Sequence, residues 1–323
     1  MKHLKLFFYL ISFSLVFTAC GVDDDDNGGG GNGGYQPKVG NSNANDARNN
    51  KHLARYEFPK IKGGSNNVII VHQASFGVNY CVEWDTDKHA QRWSCFQWHD
   101  GNSDMSTQRK PNEKNGDFTE YPHDPDLPSK YYFTVDPYTS SGFDHGHIMA
   151  SADRSYSYNQ LANRQTFYMT NMQPQRNAFN TGVWLNMENT VHSWNSKKSK
   201  ATQRDTLYIV KGGTIDSESN LGYFDYNGSY VDRKYIGSGV NKIPVPKYFY
   251  MAILCKNSKG YKAMAFWVEH KESNDSDLKK YVINIDELEK KTGIDFFCNL
   301  PDDIEDAVEK VPASQLITNF GLE

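Results

Sequence analysis

Beyond Ala19 the 323-residue chain has no long apolar run, and a mean hydropathy of −0.71 excludes a polytopic membrane protein. It also lacks an excess of positive charge. With 35 basic residues against 39 acidic ones and a net charge of −4, it is neither histone-like nor a polybasic membrane binder, and any polyanion must be held by a local site. Cysteine is scarce, five in all, and no C-x-x-C pair occurs, which argues against structural zinc. No internal repeat and no second Gly/Ser-rich linker interrupts the sequence after His52, so a single folded domain over residues 52–323 is expected. What is abundant is apolar and aromatic material: 38% hydrophobic and 14% aromatic residues are ample for a compact core.

The one apolar run, Leu4 to Ala19, follows Lys2 and Lys5 and ends in small residues, the layout of a signal peptide over residues 1–19. Val16-Phe17-Thr18-Ala19-Cys20 resembles a bacterial lipobox, whose cysteine is acylated and becomes the mature N-terminus. The expected location is therefore outside the cytoplasm, as a membrane-anchored lipoprotein. Asp23 to Asp26 form an acidic cluster similar to a surface-export signal of some outer-membrane lipoproteins. Glycine and asparagine then dominate through Asn50, too polar to bury surface, and residues 20–51 read as a flexible tether. With Cys20 lipidated, Cys81, Cys95, Cys255 and Cys298 form an even set suited to an oxidising compartment. The strands expected at Asn79–Trp84 and Arg92–Trp98, joined by a polar turn, set Cys81 opposite Cys95. The expected disulfides are Cys81–Cys95 and Cys255–Cys298.

Short runs rich in β-branched and aromatic residues predict strands at Val68–His72, Tyr80–Trp84, Trp93–Trp98, Tyr131–Val135, Thr206–Val210, Tyr248–Leu254 and Ala263–Val268. Helices are fewer. Val183, Met187, Val191 and Trp194 recur at helical spacing in Asn180–Trp194, and Asp286–Lys291 is a second helix stopped by Gly293. The fold class is α+β, around a largely antiparallel sheet.

The chemistry concentrates between Gly142 and Glu188. A histidine-bearing loop, Asp144-His145-Gly146-His147, is followed by Asp153-Arg154, then by Asn171-Met172-Gln173-Pro174-Gln175, then by Asn180-Thr181-Gly182-Val183-Trp184 and Glu188. Asn180, Trp184, Glu188 and His192 are four apart and form one stripe on the helix. His145 and His147 also spell H-x-H, a transition-metal pair, but no third ligand stands at a familiar spacing.

These segments, in this order, resemble the DNA/RNA non-specific endonuclease family of sugar-nonspecific nucleases. Asp144-His145-Gly146-His147 is similar to its D-R-G-H signature, Asn171 to Gln175 to its N-x-x-P-Q segment, and Asn180 to Glu188 to its N-x-G-x-W-x-x-x-E helix. Lys242 to Phe249 and Asp286 to Phe297 resemble its later segments, so the likeness spans essentially the whole domain. It implies a ββα-metal (His-Me finger) fold with a catalytic helix. It further implies hydrolysis of DNA and RNA to 5′-phosphate ends with one Mg2+, or Mn2+ or Ca2+ in its place. His147 corresponds to the general base, Asn180 to the direct metal ligand and Glu188 to a carboxylate acting on the metal through water. Asn171 and Gln175 correspond to amides around the site, and Asp144 to the acidic start of the motif.

Two positions depart from the family pattern. His145 stands where the family has arginine, and His192 where an arginine often follows the glutamate. Imidazole is mostly neutral near pH 7.5 and makes one bond, whereas guanidinium is always charged and grips phosphate with two. Arg154, Arg109 with Lys110, or the Lys197, Lys198, Lys200 and Arg204 group are the expected replacement cations at a phosphate site that also takes His145 and His192. A catalytically weak surface protein that binds nucleic acid is the alternative reading.

Overall fold

The structure, a computed structural model, describes residues 40–103, 120–154, 160–196 and 198–322. The expected signal peptide, Cys20, Arg109, Lys110 and Lys197 lie outside the described residues. In chain order come the strands β1 (Asn67–Ala74), β2 (Gly77–Asp85) and β3 (Ala90–Trp98), then β4 (Asp144–His147), helix α1 (Gln160–Gln165) and β5 (Met172–Gln175). Helices α2 (Asn177–Phe179) and α3 (Leu185–Trp194) follow, and then β6 (Thr206–Gly213). Two small ribbons come next, β7 (Tyr223–Phe224) with β8 (Tyr230–Val231) and β9 (Tyr235–Ile236) with β10 (Ile243–Pro244). The chain ends in β11 (Tyr248–Asn257), β12 (Gly260–Glu269), β13 (Val282–Ile283) and the helices α4 (Ile285–Thr292), α5 (Asp302–Glu309) and α6 (Ala313–Asn319).

Seven strands form one antiparallel sheet in the order β1-β2-β3-β6-β11-β12-β13. The period of two along each strand sorts side chains between two cores. On β11, Phe249, Met251, Ile253 and Cys255 point to one face and pack with Met187, Val191 and Trp194 of α3. Tyr250, Ala252 and Leu254 point to the other and meet Ile285 and Leu288 of α4 with Phe296. Each of these large side chains contributes about 1.5–3 kcal/mol by burial, which is what holds the layers of helix and sheet together. No helix among the described residues is long and apolar enough to cross a membrane.

Most expected strands form, and Gly293 closes α4 in the left-handed conformation at φ 69°. Three expectations are corrected. Tyr131–Val135 is no strand: a 3₁₀ turn at Ser129–Tyr131 leads into a loop whose Thr134 and Val135 N–H groups donate to Asn241 Oδ1, at 2.7 and 3.2 Å. A side chain there replaces the strand partner. The stretch 40–51, polar enough to read as tether, packs on the domain, because its asparagines turn their amides inward. Asn41 donates to the Cys298 carbonyl at 3.0 Å, buried Asn45 to that of Pro59 at 3.0 Å, and Ala47 joins the core. The four cysteines are free thiols rather than disulfides. Cys81 and Cys95 are cross-strand partners, as expected, yet unbonded. Cys255 and Cys298 cannot pair at all, because Cys255 faces the α3 core while the Cys298 thiol lies by Phe58 and Asn45 on the opposite side of the sheet.

Candidate active site

A two-stranded hairpin and the helix after it build the site. β4 pairs antiparallel with β5, Asp144 opposite Gln175 and His147 opposite Met172. Gly146 is required there, since a Cβ would overlap the Gln175 side chain beneath it. After β5 the chain enters α2, passes through a π-helical turn at Asn180–Trp184 and continues as α3, so the helix expected at Asn180 begins three residues earlier. Gly182 sits at a kink with φ −105° and ψ −114°; a Cβ would collide with the Ser273 carbonyl, which accepts the Val183 N–H at 2.7 Å. The motif's glycines thus serve close packing.

The kinked turn brings Asn180 beside the first residue of the hairpin. Asn180 Nδ2 donates to Asp144 Oδ2 at 3.1 Å, and Asn177 Nδ2 donates to the same oxygen at 2.9 Å. A carboxylate only accepts, so the Asn180 amide must present its nitrogen to Asp144 and turn its oxygen the other way. Asp144, His145, His147 and Asn180 line one polar cavity of about 350 Å³ together with Tyr121, Asp136 and Tyr138. His147 is held edge-on by Phe167 and Tyr121, with centroids 5.0 and 6.0 Å away. His145 lies between two rings, 3.8 Å from Tyr121 and 4.0 Å from Tyr138, and its Nε2 meets the Asp136 carboxylate at 3.1 Å. Burial works against the Asp136 charge, but the His145 hydrogen bond and charge and the Tyr138 N–H outweigh it, leaving that carboxyl below its ordinary range.

Glu188 lies two turns along the same helix, in a second group. Lys211 Nζ, 1% exposed, reaches Glu188 Oε1 at 3.2 Å and Asp153 Oδ2 at 3.0 Å, while His192 Nδ1 is 3.6 Å from the other Asp153 oxygen. Burial pushes the Glu188 carboxyl up to about 7, Asp153 adding to the rise and Lys211 opposing it. Asp153 is buried too, yet Lys211 and His192 hold it down at about 2. Lys211 is a functional candidate that stands outside the motifs, and Asp153, which stands among them, gains its partners only in the folded chain. The available signal was a lysine at the end of the apolar run Leu207 to Val210.

Several expected substrate contacts turn inward. Arg154 is fully buried, donating to Asn79 Oδ1 at 2.8 Å and to the Asn79, Gln97 and Asp153 carbonyls, so it is no phosphate grip. Arg204 is likewise buried and donates to Asn195. Asn171, fully buried, braces the exit of β4: its Oδ1 accepts from Met149 N at 3.0 Å, and its Nδ2 donates to the Met149 and Thr166 carbonyls. Gln175 is fully buried under Gly146. His192, 34% exposed, is engaged with Asp153 and packs edge-on to Trp98. None of the described residues lining the cavity is Lys or Arg.

The donor set fits a hard cation. An amide oxygen turned from its carboxylate neighbour, in a polar cavity with room for water, suits an ion that keeps most of its own waters. A separate His/Asp group, His72 with Asp124 and Asp126, places the two ring nitrogens on two different carboxylates, at 3.1 and 3.3 Å.

A β-hairpin bearing histidine, followed by a helix that returns an asparagine to the same cavity, is the architecture of a ββα nuclease. The chain belongs to the DNA/RNA non-specific endonuclease family, whose model matches residues 64–303, and is thereby a phosphodiester hydrolase. It is 27% identical to a nuclease of Nostoc sp. over 244 residues, 71% of this chain and 75% of that one. It is 27% identical to the mitochondrial nuclease 1 of Schizosaccharomyces pombe, covering 60% of this chain and 59% of that one. Human mitochondrial endonuclease G is 29% identical over 168 residues, 51% of its length. In fold the chain is similar to a crystal structure of the EndoG/EndoGI complex, with a TM-score of 0.56, 19% identity, and 74% of this chain and 89% of that one covered.

Proposed function

We propose that the protein is an exported, metal-dependent endonuclease that hydrolyses DNA and RNA without sequence preference and leaves 5′-phosphate ends. The observation that carries this reading is that His147 and the oriented Asn180 amide open on one polar cavity. His147 takes the proton from the attacking water, the general-base role that a positioned histidine most often fills. Asn180 would hold one Mg2+, for which Mn2+ or Ca2+ are the alternatives. When bound, the ion supplies positive charge to the phosphate and to the leaving 3′ oxygen. Asp144 keeps the Asn180 amide turned correctly, and Glu188, steadied by Lys211, acts through water. At the cell envelope, residues 1–19 would direct export and an acylated Cys20 would anchor the chain.

A second reading, a catalytically weak protein that binds nucleic acid, is favoured by the absence of Lys and Arg among the described cavity-lining residues. Digestion of plasmid DNA and of RNA with Mg2+, with EDTA and with His147→Ala separates the two. The nuclease reading expects cleavage that EDTA abolishes and that His147→Ala lowers by about 100-fold or more. Cleavage surviving both treatments overturns it, and binding without cleavage supports the second reading.

A further inference from the structure

On elements that contribute nothing to the catalytic cavity, three carboxylates converge. Asp286 and Glu289 stand one turn apart on α4, Glu309 is the last residue of α5, and one oxygen of each lies within 4.8 Å of the other two. Glu309 is only 7% exposed, and its Oε1 is buried with no hydrogen-bond partner among the described residues. Such an atom is costly to leave uncompensated. Glu289 spends Oε1 on the Phe296 N–H at 2.7 Å. Two further carboxylates adjoin the group, Asp295 and Glu305, sharing the Asn43 amide at 3.2 and 3.0 Å. The neighbouring lysines are directed elsewhere: Lys60 donates to the Asn43 and Ala44 carbonyls, Lys291 reaches Glu287 and Lys310 reaches Asp306. Lys290 acts on Glu289, and Lys310 on Asp286 and Glu309, only as nearby charges.

Burial, reinforced by mutual repulsion, pushes the carboxyls of Glu289, Glu305 and Glu309 up to about 7, 8 and 9.

We propose that Asp286, Glu289 and Glu309 bind a Ca2+ ion that cross-braces α4 and α5. The donors are all oxygen, which disfavours zinc. The three oxygens all lie within 4.8 Å of one another, near enough for one ion to take all three. Mg2+ keeps several waters and takes one or two carboxylates, so a converging set of three favours the larger, less hydrated ion. The N-terminal segment is tied into the same corner, because Ser42 N donates to Asp302 Oδ1 at 2.9 Å and Asn43 bridges Asp295 and Glu305. Ion binding would thus tighten this segment together with both helices.

The test is thermal unfolding of the EGTA-treated protein titrated with CaCl2, and separately with MgCl2, for the wild type, Asn180→Ala, and Asn180→Ala combined with Glu309→Gln or with Asp286→Asn. Ca2+ at about a hundredfold above its dissociation constant should raise Tm by roughly 5 °C. That rise should persist in Asn180→Ala, disappear when Glu309→Gln or Asp286→Asn is added to Asn180→Ala, and be smaller with Mg2+. Any of the following overturns the proposal: no Ca2+ response in the wild type; a response lost in Asn180→Ala; a response retained when Glu309→Gln is added to Asn180→Ala; or an equal response to Mg2+. The Gln and Asn variants relieve repulsion and keep shape, so loss of folding does not imitate loss of the ion.

Discussion

Asp144 and Asn180, 36 positions apart in sequence, are joined by a single hydrogen bond of 3.1 Å that dictates which end of the Asn180 amide faces the cavity. Substituting Asp144 by asparagine offers that amide a partner able to donate as well as accept, so the amide is no longer held one way. Asp144→Asn is expected to fold normally, to lose about tenfold in rate at limiting Mg2+ and to recover much of it at saturating Mg2+, since outer partners of a metal ligand are typically worth that much. A Mg2+ titration of plasmid cleavage checks this.

His145 occupies the arginine position of the family motif, and the structure gives it a defined bed: Tyr121 on one face, Tyr138 on the other, Asp136 at Nε2. An arginine stacks in the same slot and has donors left over after meeting Asp136. His145→Arg is expected to raise activity by up to about tenfold, equivalent to roughly 1.4 kcal/mol, because guanidinium has donors left for the phosphate that the imidazole Nε2 spends on Asp136. Cleavage rates of the variant and the wild type that coincide would show that residue 145 does not serve the phosphate.

Lys211 compensates two carboxylates at once, inside the protein. Lys211→Met strands Asp153 and Glu188 without their cation, and urea unfolding should show a loss of about 3–5 kcal/mol. Adding Asp153→Asn should restore part of it, since the stranded charge is then removed. If the losses simply add, Lys211 and Asp153 are not coupled.

The helix of the site was legible because Val183, Met187, Val191 and Trp194 repeat at helical spacing and all point into one core. His147 and Asn180 were legible as motif positions, and both line the cavity. What escaped depends on partners distant in sequence. Arg154 looked like a free cation but is consumed by Asn79 and Gln97, 75 and 57 residues away. The asparagines at 41, 43 and 45 looked like tether until the C-terminal segment supplied their partners around Cys298, Asp295 and Asn299. Asp136 and Tyr138 sit in a loop without periodicity, and only the folded chain lays them against His145.

His72 is a buried ring between Asp124 and Asp126. Burial opposes its charge, but the two carboxylates prevail and lift its pKa from 6.5 to about 9. The folded value is above the unfolded one, so the stabilisation is complete below about pH 6.5 and disappears as the pH rises through about 9. Unfolding free energies of the wild type and His72→Gln should differ by an amount that shrinks on the order of 3 kcal/mol between pH 6 and pH 9.5. A difference independent of pH would mean that the ring acts by packing alone.

With Asn180 proposed as the protein's own ligand to the catalytic ion, the deciding measurement is the Mg2+ dependence of plasmid cleavage by Asn180→Ala. Half-maximal activity is expected at about tenfold higher Mg2+ or more, or no activity at any concentration, with the fold intact by circular dichroism. A titration curve superimposable on that of the wild type would contradict that role.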